Sequence, residues 1–193
     1  MELIPFKSYD RYRDIQRKTE RRKSRRPGVK RHEIDGIADW IKENCNAVRF
    51  GICHGARYGH EVDWLKVHFR RAEVIGTDLF PKDHPKVIAW DFHKENIQWK
   101  NKADFIYSNS LDHSYDPLAC LGVWFKQLKL TGTMFLLWHP CQIATHRGDC
   151  FGAHFHEYVD LINEVGVVED IIYHGGLLFT IVAKRKAGDE EAS

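Results

Sequence analysis

Residues 48–62 read VRFGICHGARYGHEV, an apolar run that passes through three evenly spaced glycines into a helical pattern. The run predicts a buried strand, and Gly51, Gly55 and Gly59 would let the backbone turn sharply and approach a ligand closely. The helix that follows would point its N-terminus at that ligand. Because the spacing is G-x-x-x-G-x-x-x-G rather than G-x-G-x-x-G, the turn is not typical of an NAD site.

Short apolar runs alternate with helical stretches along most of the remaining chain, a pattern typical of a parallel sheet with crossover helices. Five runs predict parallel strands, at 47–53, 73–78, 86–90, 103–108 and 133–139. Two further runs, 167–173 and 177–185, are joined by a linker too short for a crossover helix, so they predict an antiparallel hairpin. The sequence therefore predicts an α/β fold: a doubly wound, mostly parallel seven-stranded sheet with a C-terminal antiparallel hairpin.

Helical spacing of apolar residues predicts the helices between and around these strands. They cover 8–26, 33–46, 59–71, 117–128 and 151–164. The predicted organisation is a basic helical N-terminal extension, one α/β domain and a polar tail, over 1–32, 33–185 and 186–193.

The composition excludes several classes of protein. The chain of 193 residues is 43% hydrophobic and 29% charged, a balance typical of a globular domain. The longest apolar stretches are far shorter than the roughly 20 residues of a membrane span. The first residues turn basic before an apolar run develops, so no secretory signal is expected and the expected location is cytoplasmic. Five irregularly spaced cysteines indicate free thiols.

Charge is unevenly distributed. Residues 1–32 carry a balance of +8, whereas the whole chain has a net charge of only +2, so the remaining chain is acidic. A basic arm at residues 7–31 predicts an anionic contact, which could be a nucleic acid, a phosphorylated substrate or the acidic body itself.

Polar residues follow the predicted strands at their carboxyl ends, where ligands bind in open α/β sheets. Asp78 ends the second strand, 23 residues after Gly55, where a carboxylate can accept both hydroxyls of a ribose. Asp91, with Phe92 next to it, stands at the end of the third strand, and these positions suit an adenine amino group and its ring face. The fourth strand leads into 108–113, which reads SNSLDH.

Over residues 45–185, this order of motifs resembles the class I S-adenosylmethionine-dependent methyltransferases. The resemblance implies S-adenosylmethionine as the cofactor and a sheet that ends in an antiparallel hairpin. It also implies that the three glycines line the methionine group, that Asp78 binds the ribose, and that Asn109 and Ser110 form the floor of the cofactor site. The implied cofactor contacts are Gly51, Gly55, Arg57, Gly59, Glu61, Asp78, Leu79, Asp91, Phe92, Asn109 and Ser110.

The sequence departs from the family where an acidic residue usually stands near the end of the first strand. Arg49, Phe50 and Gly51 occupy that region, and Glu61 could partly substitute from the following helix. Arg57 could reach a ligand carboxylate bidentately or simply lie over the first helix.

Methyl transfer to a hydroxyl requires a group that removes a proton, and histidine suits that task. His113 follows the fourth strand and His139 the fifth, so these are the candidate catalytic residues. The alternative for His113 is a structural histidine that orders its loop.

The segment 139–156 is rich in possible metal ligands, of which Cys141, His146, Cys150 and His154 could close a tetrahedral zinc site. Their spacing matches no standard zinc module, so no metal is predicted. The segment is instead expected to wall the acceptor site.

The sequence favours a methyltransferase that acts on an oxygen or nitrogen of a small-molecule or glycan acceptor. The pattern of Tyr9, Tyr12 and Gln16 before a basic stretch also resembles small methyltransferases of sugar and glycan biosynthesis, and such a helix would lie over the cofactor as a lid. An RNA methyltransferase that uses the basic arm is one alternative, and a cofactor-binding module without catalysis is another.

Overall fold

The computed structural model describes residues 1–22, 26–45, 47–146 and 148–186. Its strands are β1 (Glu2–Leu3), β2 (Phe50–His54), β3 (Glu73–Asp78), β4 (Val87–Ala89), β5 (Ala103–Ser108), β6 (Leu128–Trp138), β7 (Phe151–Gly152), β8 (Gly166–Gly175) and β9 (Leu178–Arg185). Its helices are α1 (Tyr9–Glu20), α2 (Arg31–Asn44), α3 (His60–His68), α4 (Pro117–Gln127) and α5 (Phe155–Val165). None of the helices in these residues is long and apolar enough to span a membrane.

Seven of the described strands form one mixed sheet in the order β4-β3-β2-β5-β6-β9-β8. The first five run parallel, and β9 pairs antiparallel with both β6 and β8. The mostly parallel seven-stranded sheet and its terminal hairpin are thereby confirmed.

Apolar helix faces cover both sides of this sheet. On one side, α2 and α3 bury residues such as Ile37 and Leu65 against the sheet. On the other side, α4 and α5 contribute Trp124 and Ile162 to a second cluster. Strands buried on both faces need near-continuous apolar runs, which explains why the sequence pattern identified them.

Parallel register brings the carboxyl ends of three strands to one edge. His54 at the end of β2 lies opposite Thr77 of β3 and Ser108 of β5. The residues that follow these three strands, which include Gly55, Asp78 and Asn109, therefore meet at that edge.

Several predicted boundaries are wrong for identifiable reasons. Strand β6 begins at Leu128 rather than residue 133, because Leu128 pairs with Ala103 across an irregular register. The last crossover helix begins at Phe155 rather than residue 151, because Phe151–Gly152 pairs with Glu2–Leu3. Helix α1 starts after its Ser8 cap and ends at Glu20 rather than residue 26; residues 23–25 lie outside the described residues.

Candidate functional site

The glycine turn after β2 forms the centre of the carboxyl edge. The backbone N–H groups of Gly55 and Ala56 both donate to the carbonyl oxygen of Thr77, at 2.8 and 2.9 Å. Gly55 has φ 76°, and a Cβ there would lie 2.4 Å from Ser110 Oγ. Only glycine fits this turn, which brings bare backbone against the loop after β5.

The other two glycines of the motif have different roles. Gly59 has φ 75° and caps α3, where its left-handed backbone starts the helix. Gly51 lies inside β2, and a Cβ there would lie 2.1 Å from the ring of Phe105. Gly51 therefore makes room for an aromatic ring in the core, and it is not among the residues that line the two cavities described below.

Asp78 organises the turn after β3. Its carboxylate accepts hydrogen bonds from the backbone N–H of Arg57 at 3.2 Å and of Phe80 at 2.7 Å. Burial raises the pKa of Asp78. The carboxylate is thus fixed between two strand ends by the backbone.

Two cavities open on this edge. The larger, of about 840 Å³, lies between the glycine turn, the loops after β5 and β6, the segment before α2 and the β8–β9 turn. The smaller, of about 80 Å³, lies beneath α1. Both are lined by Gly55, Arg57, Ser110 and His113, which therefore mark their junction.

Some of the predicted site residues line the larger cavity and others line the smaller one. The larger cavity is also lined by Glu61, Asn109 and His139. The smaller is also lined by Asp78, Leu79 and Phe92.

Glu61 is buried in the first turn of α3 at the wall of the larger cavity. Burial raises its pKa to about 7. Its Oε2 atom has no hydrogen-bond partner among the described residues. A buried carboxyl oxygen without a partner is costly, so a donor from a ligand would complete it.

Asp91 was predicted to contact adenine, but in the structure both of its carboxylate oxygens accept hydrogen bonds from protein groups. Its Oδ2 accepts from the Tyr9 hydroxyl at 2.6 Å, and its Oδ1 accepts from the backbone and ring nitrogens of His93 at 3.0 and 2.8 Å. Burial would raise the pKa of Asp91, but the bonds from His93 and Tyr9 hold it below its usual range. Asp91 therefore anchors α1, while its neighbour Phe92 lines the smaller cavity.

Helix α1 lies over the site by one face. Glu20 forms ion pairs with Arg57 at 2.7 Å and Lys82 at 3.0 Å, and Tyr12 is buried. From the sequence, a helix with Tyr12 and Gln16 was expected over the cofactor, but Glu20 was not assigned to the site. Their spacing was the available signal, since Tyr12, Gln16 and Glu20 recur every four residues along one helix face.

His113 stands at the junction of the cavities, in a short turn after β5. Its Nδ1 lies 2.7 Å from the carbonyl oxygen of Gly148 and 3.1 Å from Asp149 Oδ1. Because a carbonyl oxygen only accepts, Nδ1 carries the hydrogen. Asp149 was not predicted as a site residue, because its contact with His113 spans distant parts of the sequence.

His139 lies exposed at the wall of the larger cavity. Its Nδ1 accepts a hydrogen bond from the backbone N–H of Cys141 at 3.1 Å. The hydrogen of the neutral ring is therefore on Nε2, so His139 can donate a hydrogen bond but lacks a spare lone pair.

Two of the four possible zinc ligands, Cys150 and His146, have other partners in the structure. Cys150 donates its thiol hydrogen to the carbonyl oxygens of His113 and Ser114, and burial raises its pKa to about 12. His146 pairs with Asp149. Within the described part of the chain, one set of three possible ligands lies close enough together to hold a metal ion, namely Asp112, His113 and Asp149. The Nδ1 atom of His113 is already hydrogen-bonded to the carbonyl oxygen of Gly148.

Sequence comparison and structural comparison give different results. No family model matches the sequence, and no curated protein matches it. Solved structures do match. The 1,6-didemethyltoxoflavin-N1-methyltransferase of Burkholderia thailandensis, determined with S-adenosylhomocysteine, superimposes with a TM-score of 0.75 at 12% identity over 95% of this chain and 93% of that chain. The chain has the class I methyltransferase fold.

Two further methyltransferases support this assignment of the fold. A TehB-like S-adenosylmethionine-dependent methyltransferase from Corynebacterium glutamicum matches with a TM-score of 0.58 at 17% identity, covering 78% of this chain and 88% of that one. The mitomycin 7-O-methyltransferase MmcR matches with a TM-score of 0.60 at 11% identity, covering 81% of this chain and 54% of that one.

Proposed function

We propose that the protein is an S-adenosylmethionine-dependent methyltransferase that acts on a small-molecule acceptor. The observation that carries the proposal is the junction of the two cavities at Gly55, Ser110 and His113. A nucleoside beneath α1 and an amino acid group beside α3 would meet there, and the larger cavity continues beyond that point.

The nucleoside would be held by residues of the smaller cavity. Asp78 is placed after β3 to accept the ribose hydroxyls, and Leu79 and Phe92 offer apolar surface to the adenine ring. The bare backbone at Gly55 leaves the space that a passing cofactor chain requires.

The methionine group would lie beside Asn109 and Glu61. Its ammonium group is the donor that the partnerless Glu61 Oε2 lacks, and an ionised Glu61 would pair with it. This assigns to α3 the acidic contact that is absent from β2. Arg57 already pairs with Glu20, so its role is to anchor α1 rather than to bind the methionine carboxylate.

When bound, S-adenosylmethionine supplies an electrophilic methyl group on a sulfonium sulfur. Displacement at that carbon requires an aligned acceptor and, for a hydroxyl, a base. With its Nδ1 hydrogen donated to Gly148, His113 carries its lone pair on Nε2 and is our candidate base. His139 would orient the acceptor through its Nε2 hydrogen.

Cavity size favours a small acceptor over a macromolecule. The larger cavity falls within the roughly 300–1,000 Å³ typical of small-molecule sites. Neighbours such as the toxoflavin and mitomycin enzymes are named for small-molecule substrates. The exposed face of α1, with Arg11, Arg13 and Arg17, is the observation that favours RNA as the second candidate.

Methyl-labelled S-adenosylmethionine distinguishes these acceptors. The full-length protein is incubated with separated small-molecule and RNA fractions of a cell extract, and the transferred label is counted. We expect label in the small-molecule fraction, and its loss in His113→Gln, whose cofactor affinity should stay within about twofold of the original. Label in the RNA fraction would instead favour the nucleic-acid enzyme. No label in either fraction, with the cofactor bound, would favour the non-catalytic module.

A further inference from the structure

Helix α1 and the base candidate share a hydrogen-bonding group. The carbonyl oxygen of Gly148 accepts from Gln16 Nε2 at 2.8 Å and from His113 Nδ1 at 2.7 Å. The Tyr12 hydroxyl donates to the backbone carbonyl of His113 itself, at 3.1 Å. One face of α1 thus holds both the residue that carries the imidazole and the oxygen that orients it.

We propose that Tyr12, Gln16 and Asp149 are positioning residues, which orient the His113 imidazole as a base when α1 is docked over the cofactor. This inference rests on the proposed methyltransferase function. Tyr12 and Gln16 also line the smaller cavity. The role proposed here is a different one, because all three residues act on the base through His113 or through its partner Gly148.

Asp149 contributes the charge in this arrangement. Its Oδ1 lies 3.1 Å from His113 Nδ1, and its side chain is only one-fifth exposed. A carboxylate beside Nδ1 favours the Nδ1–H tautomer and stabilises the imidazolium that forms when Nε2 takes a proton from the acceptor. The acceptor oxygen or nitrogen would form the new bond to the methyl carbon with an electron pair of its own and lose its proton to Nε2, while the carbon–sulfur bond of the sulfonium would break and leave its electron pair on sulfur, so that S-adenosylhomocysteine departs.

The cofactor would enter beneath α1, so the helix must move outward to admit it. The smaller cavity, of about 80 Å³, is well below the roughly 300 Å³ at which ligand sites begin. A nucleoside between α1 and Phe92 must therefore displace the helix, which strains the contacts of Tyr12 and Gln16. When α1 closes over the bound cofactor, these contacts are made again as they are in the structure, and the base is oriented while α1 is closed.

Ring nitrogen spectroscopy tests the positioning directly. Full-length protein with ¹⁵N-labelled histidine is compared with the double variant Tyr12→Phe, Gln16→Met, which keeps the packing but removes both donors. The control is Asp14→Asn, on the exposed side of α1. We expect the neutral His113 ring as a single Nδ1–H tautomer in the unmodified protein and the control, each with S-adenosylhomocysteine, and a mixture of tautomers in the double variant. An unchanged ring in the double variant would overturn the role of α1.

Asp149→Ala provides a second test that leaves α1 intact. We expect a mixed tautomer in this variant as well, although the α1 amides exchange with solvent as in the unmodified protein. A single Nδ1–H tautomer in Asp149→Ala would overturn the role of Asp149.

Calorimetry on the same samples separates this inference from the proposed function. The double variant should bind S-adenosylhomocysteine about five- to tenfold more weakly, because two hydrogen bonds of the closed helix are lost. Binding with slower amide exchange along α1 supports closure, and binding with unchanged exchange overturns it. If the folded, unmodified protein does not bind S-adenosylhomocysteine, the proposed function fails, while the ring spectra still decide whether α1 positions His113.

Discussion

The two halves of the carboxyl edge are held by different kinds of contact. In the half proposed to hold the cofactor, called the cofactor half, the backbone N–H groups of Gly55, Arg57 and Phe80 bond to residues 77 and 78, all within 25 residues of one another. In the half with the proposed base, called the base half, His113 bonds to Gly148 and Tyr12, which are 35 and 101 residues away. Local turn chemistry thus builds the first half, and long-range packing builds the second. We expect substitutions that strain the backbone to disrupt the cofactor half, and substitutions that remove a side-chain group to disrupt the base half.

The largest effect is expected for Gly55→Val. A β-branched residue at φ 76° is strained, and its Cβ would lie 2.4 Å from Ser110 Oγ. We expect binding of S-adenosylhomocysteine to weaken more than about 100-fold and the free energy of unfolding to fall by about 3 kcal/mol. Calorimetry and urea denaturation measure these changes.

Gly122→Ala is the matched control for the glycine turn. Gly122 lies in α4, and a Cβ there meets no atom within 4 Å. Because alanine favours a helix over glycine, this variant should gain up to about 1 kcal/mol of stability and bind S-adenosylhomocysteine normally. Equal binding by Gly55→Val and Gly122→Ala would show that the turn does not form the cofactor site.

The next largest effect is a pH dependence of the free energy of unfolding that arises from Glu61, whose pKa is raised to about 7 by burial. A carboxyl whose pKa is raised in the folded state stabilises the protein fully below the unfolded pKa, and this stabilisation is lost as the pH rises to the folded pKa. Between about pH 4.5 and 7 the loss is on the order of 3 kcal/mol. Glu61→Gln should remove this part of the dependence in urea titrations, whereas exposed Glu73→Gln should keep it.

The affinity for the cofactor should rise with pH, whereas the contribution of Glu61 to stability falls. If ionised Glu61 pairs with the methionine ammonium group, the affinity for S-adenosylhomocysteine rises as the pH passes from about 6 to 8. Glu61→Gln should bind about tenfold more weakly at pH 8 and lose this rise. An unchanged pH profile in Glu61→Gln would exclude Glu61 as the ammonium contact.

The smallest effect is expected for Glu20→Gln, which breaks the ion pairs of α1 with Arg57 and Lys82. The Lys82 side chain is one-third exposed, so solvent weakens its ion pair with Glu20. We expect the free energy of unfolding to fall by about 1 kcal/mol in total. Hydrogen exchange of the α1 amides should accelerate about fivefold, with Asp14→Asn unchanged. Acceleration along α4 as well would show global destabilisation instead of release of α1.

The same division explains what could be predicted from the sequence. The sheet, its hairpin and the place of Asp78 follow from apolar runs and short linkers, which are local signals. The interior role of Gly51 and the anchoring role of Asp91 could not be predicted, because they depend on Phe105 and Tyr9 from other elements. The pairing of Phe151–Gly152 with Glu2–Leu3 joins opposite ends of the chain, so a helix was predicted there instead.

The central claim is that the edge with Gly55 and Asp78 binds S-adenosylmethionine. Calorimetric titration of S-adenosylmethionine and S-adenosylhomocysteine into the unmodified protein and Asp78→Ala tests it most directly. We predict micromolar binding, about −8 kcal/mol, that weakens at least tenfold in Asp78→Ala. No binding by the folded, unmodified protein would contradict the account, and equal binding by both proteins would contradict the place assigned to the ribose.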